Sequence, residues 1–167
     1  VLTHQRGKEF ILANWKMPML ECKGSCLCGK IKFNILFPAL DVIACHGNAC
    51  QKWSGGIALY IASADEPDFC GESKPAIFTY SHTERRAFCP ACGGSLYYHI
   101  VDKKRFLISY PSLLLSKNQA SQLLLAAEVY IENKPPFCGL TGQYTRLTGQ
   151  DFLETKLMST WEKPDNT

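Results

Sequence analysis

No apolar run in this chain approaches the length of a membrane span. Leu113–Leu115 and Leu123–Leu125 come nearest, and Ser116, Lys117, Asn118 and Gln119 break the stretch between them. Charge of one sign is scarce too: a formal net charge of +3 on 167 residues is too small to argue for nucleic acid or a membrane surface as partner. The opening residues carry no charged segment followed by an apolar stretch and a small-residue cleavage site, so secretion is not indicated. Internal repeats, linkers and low-complexity stretches are absent as well. These absences set the expectation of a soluble, cytoplasmic chain with neither nucleic acid nor membrane as partner. With 46% apolar and 20% charged residues, it reads as one globular domain with room for a core.

What the chain does have is cysteine. Nine are spread over positions 22 to 138, and four fall in two tight pairs, Cys26-Leu27-Cys28 and Cys89-Pro90-Ala91-Cys92. Thiolates in two close pairs suit a metal that takes four soft ligands without redox chemistry of its own, and zinc is the expected ion. Rubredoxin-type iron would accept the same sulfurs. On a strand, residues i and i+2 share a face, so Cys26 and Cys28 are expected to aim both sulfurs one way. Pro90, Gly93 and Gly94 mark the second pair as a tight turn. A disulfide framework is the competing reading, and it is disfavoured by the odd count and by metal-like spacing in a reducing compartment. Cys22, Cys70 and Cys138 have no such spacing and read as core residues or surface thiols.

Strand signals dominate. Lys30–Ile35 alternates polar and apolar residues without a fault, and Leu40–Cys45, Ile57–Ala62, Ala76–Tyr80, Ser95–Val101, Arg105–Tyr110 and Glu128–Glu132 are further short runs rich in β-branched and aromatic residues. Pro and Gly punctuate them at Pro38, Gly55, Pro67, Gly71 and Gly93. Helix is expected only as a turn or two within Ser112–Ala127 and over Asp151–Trp161, where Asp151 can cap. The organisation is therefore an extension or arm over residues 1–18, a single zinc domain over 19–161 and a tail over 162–167.

A second cysteine cluster lies between the two pairs: Cys45-His46-Gly47-Asn48-Ala49-Cys50-Gln51-Lys52-Trp53-Ser54-Gly55. Taken in order, Gly24-Ser25-Cys26-Leu27-Cys28-Gly29, this cluster, and Phe88-Cys89-Pro90-Ala91-Cys92-Gly93 resemble the glutathione-dependent formaldehyde-activating enzyme family, which includes centromere protein V. The likeness covers roughly Glu21 to Ile100.

The resemblance implies a mainly β, Mss4-like sheet fold with little helix, pinned by a structural zinc whose ligands match Cys26, Cys28, Cys89 and Cys92. It also implies a second, more labile zinc held by three thiolates, of which Cys45 and Cys50 match two. Gly47 stands at the third. Three readings of this loop stay open. A second zinc binds with His46 or a distant group completing the set, Gly47 supplying the bend that two adjacent residues would need. Alternatively no metal binds, and a thiol lowered in pKa by His46 is a nucleophile. In the third, the cluster is inert and His46 merely hydrogen-bonds in the fold.

The catalytic candidates are thus Cys45, His46 and Cys50. Lys52, Arg85 and Arg86 are candidates to face an acidic thiol such as glutathione, although exposed basic side chains are the commoner case. Trp53 is a candidate pocket wall or a core residue. One of Tyr97 and Tyr98 should point inward by alternation. The expected function is an enzyme acting at a carbon–sulfur bond, on a thiol adduct or small carbonyl compound, diverged from formaldehyde chemistry because of Gly47. The alternatives are a non-catalytic zinc-stabilised binding module, as in centromere protein V, and a thiol redox protein. A small-molecule substrate is the expected partner, with at most a second copy of the chain.

Overall fold

A computed structural model describes residues 19–154. The arm at 1–18, the tail at 162–167 and the later part of the helix expected over Asp151–Trp161 lie outside the described residues.

Two sheets make the fold, which is mainly β as expected. The smaller contains β1 (Leu20–Ser25), β2 (Lys32–Phe37), β5 (Asp68–Phe69) and β10 (Leu113–Leu114), in the order β10-β1-β2-β5. The larger contains β3 (Asp41–Cys45), β4 (Ala58–Ser63), β6 (Ala76–Thr79), β7 (Glu84–Phe88), β8 (Ser95–Ile100), β9 (Arg105–Ser109), β11 (Leu124–Val129) and β12 (Thr145–Leu147). Its order is β12-β11-β3-β4-β9-β8-β7-β6. All pairings are antiparallel except those of β11, which runs parallel to both β3 and β12. Among the described residues, helix is confined to short pieces: α1 (Asn48–Ser54), α2 (Lys117–Ala120) and α3 (Gly149–Glu154).

The alternation read in Lys30–Ile35 is that of β2, where Phe33, Ile35 and Phe37 are buried against the larger sheet. Opposite Phe33 in the β1–β2 ladder stands Gly24, where a Cβ would run into the Phe33 ring. That close approach explains a glycine inside a strand.

The larger sheet is covered on both faces. One face joins the small sheet through Ile61, Leu96, Tyr97, Phe106 and Ile108. The other holds a second core of Cys45, Cys50, Ala58, Tyr60, Ala62, Leu107, Ala127, Val129 and Phe152. Alternation along β4 and β9 divides the side chains between them.

Two expectations need correction, and one is met within a segment that goes on as strand. The strand expected at Glu128–Glu132 ends at Val129, because Tyr130 takes a left-handed conformation (φ 57°) and starts a 3₁₀ turn. Ser112–Ala127 holds the expected helical turn, capped by Ser116, and then becomes strand β11. Cys26 and Cys28 are not strand neighbours: β1 ends at Ser25, and both thiols sit in the turn that follows.

Candidate functional site

The four paired cysteines meet where the sheets meet. Cys26 follows the end of β1 in the small sheet, and Cys89 follows the end of β7 in the large one. Each pair is closed by a glycine in the left-handed region, Gly29 (φ 76°) and Gly93 (φ 71°), a conformation that costs glycine little. The Cys89 turn is fixed by Gly93 N–H donating to the Cys89 carbonyl at 2.8 Å and Cys89 N–H to the Gly94 carbonyl at 2.9 Å.

All four sulfurs lie within 4.8 Å of one another, with Cys26–Cys28 at 3.6 Å and Cys28–Cys89 at 3.8 Å. A tetrahedral ion with metal–sulfur bonds of about 2.3 Å has sulfur–sulfur edges of about 3.8 Å, so the donor set fits a metal ion. Backbone amides support negative charge there. Ile31 N–H donates to the Cys26 sulfur at 3.3 Å, and the amides of Gly94 and then Cys28 bring the Cys92 thiol down to about 6.

The second cluster is built differently. β3 delivers Cys45, and α1, which begins at Asn48, turns Cys50 back toward it. Gln51 pins the loop by donating to the carbonyls of His46 at 2.6 Å and Asn133 at 3.0 Å. Both thiols line a cavity of about 390 Å³ whose walls include Tyr60, Glu84, Arg86, Tyr98, Tyr130 and Phe152.

Arg86 is only 2% exposed. It donates to the Cys50 sulfur at 3.6 Å and to the Tyr60 hydroxyl at 3.3 Å. Its guanidinium lies 4.4 Å from the Tyr98 ring centre and 5.7 Å from that of Trp53. The Cys50 thiol is lowered to about 6: the hydrogen bond from Cys45 outweighs burial, and Arg86 and Tyr60 add to it. Cys45 is pushed up in return, by that same hydrogen bond and then by burial.

His46 goes the other way, as strand alternation requires. It is fully buried, and its Nε2 lies 2.8 Å from Glu128 Oε1. Glu128, also fully buried, gathers Lys134 at 2.7 Å and Arg146 at 3.3 Å as well. His46 is not part of the cavity wall. Among the described residues, the Cys26–Cys28–Cys89–Cys92 group alone brings three or more potential ligands together. Among the described residues, no His, Cys, Asp or Glu joins Cys45 and Cys50 as a third ligand.

The remaining candidates scatter. Lys52 and Arg85 are exposed, Arg85 because β7 alternates and points it away from Arg86. Trp53 donates to Ser95 Oγ at 3.0 Å, stacks on Phe78 and lines a separate groove beside the four-cysteine cluster. Tyr97 joins the inter-sheet core, while Tyr98 faces the cavity. Sequence reasoning missed Tyr60, Tyr98 as cavity wall, Tyr130 and Glu128. The alternation of Glu84-Arg85-Arg86-Ala87-Phe88 was the one signal that could have marked a single arginine as inward.

Glu128 holds this end of β11 against the Cys45 loop. Burial raises its pKa, but Lys134 and then His46 outweigh that and lower it. Its contribution is therefore present above the ordinary glutamate value of about 4.3 and lost as pH falls through its lower folded value. Glu128→Gln leaves the buried His46 and the more exposed Lys134 and Arg146 without the carboxylate that gathers them and is expected to cost about 3 kcal/mol. A thermal melt should then show a fall of roughly 6–12 °C for a chain of this size. An unchanged melting temperature would show that the cluster contributes nothing to the fold.

The sequence model of glutathione-dependent formaldehyde-activating enzymes matches residues 21–133 of this chain. An uncharacterized lyase of Schizosaccharomyces pombe is 24% identical over 132 residues, covering 76% of this chain and 93% of its own length. The crystal structure of a Rhodobacter sphaeroides protein superposes with a TM-score of 0.48 at 15% identity, over 60% of this chain and 96% of the other.

Proposed function

The chain belongs to the glutathione-dependent formaldehyde-activating enzyme family, and from that premise we propose a lyase-like enzyme that breaks and forms the bond between a thiol sulfur and a carbonyl carbon. One observation supports this most: two thiols and a buried arginine share the wall of a small aromatic cavity. The lyase name of the Schizosaccharomyces pombe relative points to the same class of chemistry.

Zinc is the ion proposed for Cys26, Cys28, Cys89 and Cys92, where it would tie the two sheets together. Four sulfur ligands leave no open position, which assigns that ion to structure and leaves chemistry to the cavity. Within the cavity, the walls hold the reactants close, so that a thiol and a carbonyl meet at high effective concentration. Gly47 leaves space beside Cys45, and the substrate is proposed to be bulkier than the formaldehyde–glutathione adduct.

The test is a panel of hemithioacetals formed from glutathione and aldehydes of increasing size, with S-hydroxymethylglutathione as the smallest member. Release of free aldehyde is expected to be fastest for a larger member. Cys50→Ser should slow it at least about tenfold while the melting temperature stays near that of the parent. Absence of turnover across the panel would leave the chain as a zinc-stabilised binding module.

A further inference from the structure

Taking that cavity as the working site, we infer that it is a metal-free covalent site in which Cys50 is the nucleophile, Arg86 holds its negative charge, and aldehydes with an aromatic or apolar body are captured.

The donor set argues against a metal. Cys45 and Cys50 offer two sulfurs, whereas a zinc centre with an open position takes three protein ligands, and His46 is committed to Glu128. A cation is already in place, since Arg86 touches the Cys50 sulfur from a position nearly sealed from water. Charge counting agrees. Two thiolates would cancel a divalent ion and leave the guanidinium without a hydrogen-bonded anion of its own, with Glu84 elsewhere in the wall as a carboxylate left to balance it. One thiolate beside one guanidinium is neutral. Among the described residues the hydrogen-bond partners of Arg86 are Cys50 and Tyr60, with no carboxylate between them.

The other titratable groups facing Cys50 fit this balance. Cys45 from β3 and Tyr60 from β4 lower the Cys50 thiol in the same sense as Arg86. Glu84 on β7 is the opposing charge, and after burial it is what pushes the Tyr98 hydroxyl on β8 up. Tyr130, Asp102 and Lys103 complete the polar part of the wall. Arg86 acts through Cys50 and is a positioning residue. Tyr60, Tyr98, Tyr130 and Phe152 give the cavity flat apolar faces, which suit a ring or branched chain better than a one-carbon aldehyde.

In the reaction, the Cys50 thiolate sulfur adds to the carbonyl carbon. The new carbon–sulfur bond forms as the π pair of the C=O bond moves onto oxygen, and that oxygen takes a proton from water. The product is a hemithioacetal, nothing is oxidised or reduced, and the reverse step expels the aldehyde.

The experiment reads labelling and metal content, so it fails separately from the turnover test. Iodoacetamide labelling of Cys50 in the full chain at pH 6.5, followed by peptide mass spectrometry, should outrun that of the neighbouring Cys45, since Arg86 donates to the Cys50 sulfur. Arg86→Gln should slow labelling at pH 6.5 about tenfold, and Arg86→Lys should restore part of it. Benzaldehyde should protect Cys50 saturably at concentrations that leave the exposed Cys70 unprotected. Metal content should be one ion per chain in both the parent and Cys50→Ser. Labelling of Cys45 ahead of Cys50 in the parent, or an ion lost with Cys50→Ser, would overturn the inference whether or not the Arg86 variants fold. Absence of benzaldehyde protection would overturn its substrate class.

Discussion

Cys89→Ser is expected to leave the chain largely unfolded and without its metal. Cys89 is fully buried at the end of β7, and its sulfur lies 3.8 Å from that of Cys28, which follows the end of β1. The four-sulfur cluster is thus a tie between the two sheets at one end of the core they share. Structural zinc contributes on the order of 10 kcal/mol in small zinc modules. A whole domain is stable by only about 5–15 kcal/mol, so loss of the tie is comparable to the entire margin. The measurements are zinc per chain by elemental analysis, far-UV circular dichroism and a thermal melt. A strong chelator should bring the parent protein to the same state, and added zinc should restore the parent but not the variant. If Cys89→Ser kept its zinc and its melting temperature, the four sulfurs would not be the tie.

The four-cysteine cluster was legible in the sequence because its information is local. Two short spacings, each followed by a glycine, specify two turns and four sulfurs, and the chemistry of thiolates does the rest. The way the turns are made was less legible. Cys26 and Cys28 converge through a turn closed by Gly29, whereas strand alternation would have brought the same two sulfurs together from β1. Helix α1 escaped notice because seven residues give too little periodicity, and its N-cap, Gly47, makes no side-chain cap.

The cavity was legible in part. Cys45 and Cys50 stood out as chemistry, but their neighbours come from β4, β7, β8 and the segment after β11. Alternation says that Arg85 and Arg86 face opposite ways. It does not say which face is closed, and in this sheet both faces are covered. His46 and Glu128 are 82 residues apart and meet through the parallel β3–β11 pairing, which no local pattern announces.

Gly47→Cys should convert the cavity into a second metal site. The backbone at Gly47 has φ −54° and ψ 139°, a conformation open to any L-residue. A Cβ built there would lie 3.5 Å from the Cys45 sulfur and 3.6 Å from the Tyr130 ring, which are ordinary contacts. The new thiol would therefore enter the cavity beside the two already present, without strain in the loop. Three thiolates also change the charge balance. With a divalent ion they leave one negative charge, and the Arg86 guanidinium beside Cys50 neutralises it. The arrangement that was one positive charge in excess with two thiolates becomes neutral with three. Zinc content is expected to rise from one toward two ions per chain, and mild chelation should remove the second ion first, because three ligands hold it less firmly than four. Iodoacetamide labelling of Cys50 should fall once the ion is bound, since its lone pairs are then engaged. Elemental analysis and labelling on the same samples test both effects. Two ions already present in the unmodified chain, together with robust formaldehyde turnover, would show that Gly47 carries none of the consequences assigned to it.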